Sequence, residues 1–350
     1  MTNLYLDPRS GKEVVTNSSL RVFRQCPQLY RYKYIERLKI HAIGRPLKFG
    51  SWMHELLEWH HKGDDWKVKH HELTLQYNKL LDEEKDYYGD LPHDCASLMR
   101  SYIWYYRDDP WKVIETEFTI EHELPNGVVY RGRVDMLAET QFGLHIVDHK
   151  NHARLPELGD QLLDSQSAMY LWTMLKKKYD IEGFIWNYLV TSAPAKPKAL
   201  KDGSRLSKVL GATDYLTYRD EIRRLVSEGE LAKITPEIKA HADRLKKIRY
   251  IPGEPQVSPF FRRDVLRKGS QMLGQVAREN YHTIARLKAY PFHRPEIVER
   301  STSYSCKWCG YKDLCTVELM GGNSQYLRKT KYEVGDPMDY YKDTKESTDA

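Results

Sequence analysis

The spacing of apolar positions changes along the 350-residue chain. Residues 18–36 (SSLRVFRQCPQLYRYKYIE) predict a short helix capped by Ser18, a break at Cys26-Pro27, and then an aromatic, basic helix. In 47–62 (LKFGSWMHELLEWHHK), Trp52, Leu56 and Trp59 share one helical face, and helical text continues through 66–107 apart from Gly89-Asp90-Leu91-Pro92. The period then becomes two. Residues 111–122 (WKVIETEFTIEH) and 127–137 (GVVYRGRVDML) read as strands joined by a hairpin turn at Pro125-Asn126-Gly127, and 143–150 (GLHIVDHK) as a third. A helix over 158–180, an apolar strand over 182–192, helices from 214 to 248, a strand at 259–267 and a helix over 270–288 complete the pattern. The expected class is α/β: a small mixed sheet flanked by helices, with large helical N-terminal and C-terminal parts. One domain is expected over 1–325, divided into a helical part (18–110), a catalytic core (111–192) and a remainder (193–325). Residues 326–350 read as an acidic, disordered tail.

Composition adds three constraints. No apolar run approaches the ~20 residues of a membrane span, and the opening MTNLYLDPRSGKEVV lacks a secretory pattern. An intracellular, cytoplasmic protein without a membrane partner is expected, in the host cytoplasm if phage-encoded. The formal charge is +6, and residues 331–350 hold six acids against three bases, so the body is more basic than the whole. A basic body suits a polyanionic partner. Lys196, Lys198, Lys201, Arg205 and Lys208 crowd a loop at 193–212 with Asp202 as its one acid, and Arg262, Arg263, Arg267 and Lys268 form a second basic group. Both are candidates for following a strand's phosphates, or are solvated charged surface.

The strand period carries the chemistry. On the second strand Arg131, Arg133 and Asp135 share a face, and on the third Leu144, Ile146, Asp148 and Lys150 do. Antiparallel pairing about Gln141–Phe142 sets Asp135 opposite Asp148. Two facing carboxylates repel unless a divalent cation lies between them, and Mg²⁺ binds through carboxylates plus substrate phosphate. Lys150 then sits where it can orient the attacking water and offset charge on the phosphate.

Gly132-Arg133-Val134-Asp135, Ile146-Val147-Asp148-His149-Lys150 and Gln166-Ser167-Ala168-Met169-Tyr170 together resemble the PD-(D/E)XK nuclease superfamily, specifically its RecB-type exonuclease branch. Phe49-Gly50-Ser51-Trp52-Met53-His54-Glu55 resembles that branch's helix histidine. The resemblance implies a restriction-endonuclease-like core and Mg²⁺ or Mn²⁺ held by His54, Asp135, Asp148 and the main-chain carbonyl of His149, whose side chain faces away. It assigns catalysis to Asp135, Asp148 and Lys150, and has Gln166 and Tyr170, one helical turn apart, touch DNA or orient Lys150. Glu115 resembles a family acid on the first strand. Val134 stands where the family often has Pro, and Asp148 where it often has Glu.

Cys306, Cys309 and Cys315 form C-x₂-C-x₅-C, with Cys26 as the one good fourth partner far upstream. Structural zinc sites usually take two close pairs; a trio plus a distant single cysteine fits a Cys₄ iron–sulfur cluster better. The pattern is similar to the 4Fe-4S staple of AddB-type helicase-nucleases and CRISPR-associated adaptation nucleases. On this reading the two ends of the chain are joined through the cysteines alone. The expected function is a metal-dependent DNA exonuclease, favouring single strands from the 5′ end, in recombination, repair or replication. Partners would be DNA and a helicase, recombinase or integrase, since no G-x-x-x-x-G-K-[ST] motor motif is present. The alternatives are a non-catalytic iron–sulfur DNA-binding or scaffold subunit, or an end-trimming nuclease of CRISPR-adaptation type.

Overall fold

The computed structural model describes residues 2–41, 43–159, 161–200, 206–207 and 212–339, and opens with strands β1 (Tyr5–Leu6) and β2 (Glu13–Thr16). Helix α1 (Asn17–Gln25) follows at once, capped by Thr16 rather than Ser18. Thr16 accepts from the Ser19 amide at 3.1 Å and Ser19 Oγ accepts from the Thr16 amide at 2.9 Å, so two amides that a helix start would orphan are satisfied reciprocally. Pro27 opens α2 (Pro27–Tyr30), a π turn spans 31–35, and β3 is Leu38–Ile40. Four helices come next: α3 (Arg45–Lys62), α4 (Trp66–Asn78), α5 (Asp82–Tyr88) and α6 (Leu91–Tyr105).

The hairpin of β4 (Lys112–Glu123) and β5 (Val129–Thr140) leads to β6 (Gly143–His152). Gly127 takes φ of 77° in the turn, a conformation glycine adopts without Cβ cost. Helix α7 (Ser165–Lys176) is shorter than its sequence text because Asp164 caps it, accepting from the Ser167 amide at 2.8 Å. Then come β7 (Ile181–Val190), α8 (Tyr215–Ser227), α9 (Pro236–Lys247), β8 (Phe261–Leu266) and α10 (Ser270–Ala289). The last elements are α11 (Lys312–Leu319), α12 (Gln325–Lys331) and β9 (Tyr332–Val334).

The sheet is mixed and larger than its sequence pattern implies: among the described residues it has seven strands, in the order β1-β2-β5-β6-β7-β8 with β4 along the other edge of β5. Apolar side chains of one face, including Tyr130, Val134, Ile146, Phe184 and Trp186, pack with Leu20 and Phe23 of α1, Met169 and Met174 of α7, and Ile284 and Leu287 of α10. A second core joins Phe49, Met53 and Leu56 of α3 to Leu98 and Tyr102 of α6, and to Leu189 and Phe261. Helices thus cover the sheet on both sides. No helix among the described residues is long and apolar enough to cross a membrane.

Two expectations about the ends need correction. Residues 326–339 are not an unstructured tail, since they include most of α12 and all of β9, which pairs antiparallel with β3 from Leu38↔Val334 to Ile40↔Tyr332. Residues 340–350 lie outside the described residues. Nor do the cysteines alone join the ends. Tyr311 stacks between Tyr32 and Tyr332, with centroids 5.6 and 5.3 Å away, in a small core completed by Leu38 and Leu314.

Candidate active site

The sheet forks at the site. One edge of β5 pairs with β2 only at 129–131 and with β6 only from Met136↔Val147 onward. Beyond that pair β6 leaves β5 and continues beside β7, from Asp148↔Trp186 to His152↔Val190. Asp135 and Asp148 are the next residues across the opening. Having left the β5 ladder, the His149 amide donates instead to Asp135 Oδ2 at 2.7 Å. A side chain replaces a ladder bond, as a buried amide requires.

Helix α3 brings His54 to the fork, its Nδ1 3.5 Å from Asp135 Oδ2. Glu117 arrives from β4, and ligand atoms of His54, Glu117 and Asp135 lie within 4.8 Å of one another. Glu117 has φ of 50°, strained for a residue with a side chain, and strain of this kind concentrates at functional sites. Glu115, the acid singled out from sequence, is instead exposed and pairs with Leu137, in the same register and just before the shift between Glu115 and Val113. Counting back from the hairpin turn pairs Asp135 with Glu117, so the signal was available in the turn. Glu58, one turn after His54, adds its charge to the same cluster.

Lys150 Nζ lies 2.5 Å from Asp148 Oδ2 and 5.0 Å from the centre of the Trp186 ring, while Gln166 Nε2 donates to Asp148 Oδ1 at 2.5 Å. Asp148 is thereby gripped on both oxygens. Burial pushes the carboxyls of Asp135 and Glu117 up from their ordinary range, and that of Asp148 up to about 7. Burial, with Lys150 nearby, lowers His54 to about 4, so its imidazole is a neutral donor of a lone pair. Two oxygen-bearing acids, a neutral imidazole and a further carboxylate are the donor set a divalent cation takes.

The remaining predicted residues divide. The His149 main chain hydrogen-bonds to His54, and its ring, expected to face away, is buried against His61. Tyr170 is 4% exposed, and its hydroxyl donates to the Arg133 carbonyl at 2.9 Å, so it braces β5 and offers no surface to a strand. Gly132 makes room for that ring: a Cβ there would meet Tyr170 Cε1 at 2.6 Å and Ile120 Cγ1 at 3.2 Å. Gly132→Ala is expected to destabilise the fold by about 1–3 kcal/mol through overpacking, read as a lower denaturant midpoint at unchanged slope.

Arg263 is also misplaced by the sequence reading. It is 3% exposed and pairs with Asp109 at 2.6 Å, so it cannot reach DNA. Arg262 is half-buried, bound to Asp264 and lying over Tyr188. Lys196 and Lys198 are exposed, whereas Arg205 and Lys208 fall outside the described residues.

The four cysteines converge. Cys26, Cys306, Cys309 and Cys315 line one cavity of about 180 Å³ with Leu29, Tyr32 and Tyr311, and none is in a disulfide. The Ser303 amide points at Cys306 Sγ, 3.5 Å away.

No curated protein matches the chain. Among solved structures, it is similar to a provisionally named exonuclease from Eubacterium rectale, at 12% identity over 86% of this chain and 94% of that one, with a TM-score of 0.42. It is also similar to the protein SSO0001, at 11% identity over 86% of this chain and 85% of that one, with a TM-score of 0.30. A family profile described as the PD-(D/E)XK nuclease superfamily matches residues 14–316. With most of its length matched, the chain belongs to the PD-(D/E)XK nuclease superfamily.

Proposed function

We propose that the protein is a metal-dependent DNA exonuclease of the RecB-type branch, acting on single strands from the 5′ end, with a 4Fe-4S cluster on its four converging cysteines. The observation that carries the reading is the fork in the sheet, which gathers His54, Glu117, Asp135, Asp148 and Lys150 at one point. Mg²⁺ or Mn²⁺ fits the donor set there, and when bound it supplies Lewis acidity to the scissile phosphate and the attacking water. His54, Asp135 and Asp148 would hold it, with Glu117 as a further carboxylate within reach.

The chain's own groups do the rest. Lys150 places a cation beside Asp148, where it can orient a water and balance the charge that builds on the phosphate. Gln166 fixes Asp148 from the α7 side, so the carboxylate and lysine keep one geometry through the reaction. Lys196 and Lys198, exposed beyond the end of β7, would meet phosphates of the incoming strand on this reading. A partner with a helicase, recombinase or integrase activity would supply or consume the processed end.

Digestion of single and double strands labelled at either end, with Mg²⁺, Mn²⁺ or chelator, tests this. Metal-dependent release of label from the 5′ end of single strands is expected. No cleavage with either ion would leave a binding subunit instead, and internal nicking would replace the exonuclease reading by an endonuclease one.

A further inference from the structure

Behind the fork lies a buried polar chain that meets the catalytic motifs only at His149. Arg263 is clamped between the rings of Tyr106 and Trp111, with centroids 3.6 and 3.5 Å from its guanidinium carbon, and Asp109 balances its charge. An arginine can only donate hydrogen bonds. Its Nε faces Asn187 Oδ1 at 3.4 Å and its Nη2 faces the Tyr102 hydroxyl at 3.3 Å. The Asn187 amide is therefore fixed with Nδ2 outward, 3.2 Å from the Tyr102 oxygen and 2.7 Å from His149 Nδ1. His149 Nδ1 must accept, which puts that ring's proton on Nε2. Tyr102, already accepting twice, gives its own proton to His61 Nε2 at 3.2 Å. His61 stacks on His149 at 5.6 Å with 6° between the planes.

The chain ends on the site. His149 is the residue whose amide holds Asp135 and whose main chain meets His54. Having left the β5 ladder, this peptide has no strand on that side to hold it, so its ring is the anchor. We propose that Arg263 and Asn187 are positioning residues for the cation site, fixing the His149 ring and through it the peptide groups that aim Asp135 and His54. The inference rests on the cation site of the proposed function and adds what sets its geometry.

Asn187→Asp is close to isosteric but offers His149 Nδ1 only an acceptor. Imidazole ¹⁵N spectra should then show the His149 ring switched to the Nδ1–H form. Mn²⁺ affinity, followed by the free-ion electron paramagnetic resonance signal without DNA, should fall about 10- to 100-fold, the usual cost of losing a supporting partner behind a ligand. Arg263→Lys, which keeps the charge but loses the fork, should weaken Mn²⁺ in the same direction. Near-UV circular dichroism unchanged in Asn187→Asp separates positioning from loss of fold. Native Mn²⁺ affinity in a folded Asn187→Asp protein, or an unswitched ring, would overturn the inference. Mn²⁺ uptake that survives Asp135→Asn would overturn the cation site itself, and the inference with it.

Discussion

Lys150→Ala is expected to slow phosphodiester cleavage by at least about 10²-fold, the scale of removing one preorganised charge from a transition state, while Mn²⁺ affinity and strand affinity stay close to native. The separation follows from how Asp148 is held. Its Oδ1 keeps the Gln166 hydrogen bond of 2.5 Å after the lysine is gone, so the carboxylate remains aimed into the fork. Lys150 is also more exposed than the acids around it, with 35% of its side chain accessible against 2% for Asp148, so its loss opens no core cavity. Single-turnover digestion of end-labelled strands, beside fluorescence anisotropy with Ca²⁺ in place of Mg²⁺, reads the two quantities separately. Cleavage at the native rate would remove Lys150 from the chemistry. Lys150→Arg should not restore it, because a planar, weakly hydrated fork cannot stand in for a compact ammonium.

The second large effect concerns the cysteines. Protein purified without oxygen is expected to be brown and to contain about four irons per chain, as a Cys₄ cluster requires, and Cys309→Ser should lose both colour and iron. A colourless, folded, zinc-loaded preparation would defeat the cluster reading. The accompanying loss of stability should be smaller than the order of 5 kcal/mol that closing so long a loop would contribute in the chain-entropy picture. That figure presumes ends held by the cysteines alone. Here β3–β9 pairing and the Tyr32–Tyr311–Tyr332 stack already close the loop, so the cluster adds to an existing clasp. Chemical denaturation of the native protein and Cys309→Ser measures the difference.

The strand period made Asp135 and Asp148 legible because alternation and one turn fix their register, and both acids do stand at the fork. Glu117 was equally fixed by the hairpin count, but Glu115 shares its register and its strand parity. Only the local backbone turn at Glu117, with φ of 50°, separates the half-buried acid from the exposed one. Arg263 was unreadable for another reason. Adjacent arginines on a strand face opposite sides, but which side is interior depends on Asp109, Tyr106 and Trp111, more than 150 residues away. Strands β1 and β2 were missed because two and four residues carry too little pattern; β2 exists because β5 offers a free edge at 129–131, and β1 because β2 offers the next. The order at 326–339 has the same cause: residues 332–334 form a strand only because Leu38–Ile40 presents one to pair with.

The clasp between the chain's first and last segments also sets a timetable. The Asn3 side chain donates to the carbonyls of Leu287, Lys288 and Tyr290 that end α10, and β3 finds its partner only at Tyr332–Val334. On the ribosome, the Leu38–Ile40 strand and the Tyr32 ring therefore wait for their partners until residues 311–334 have emerged. A nascent chain stalled before residue 332 would leave Leu38–Ile40 without its pairing strand, open to whatever chaperone or protease reaches it first.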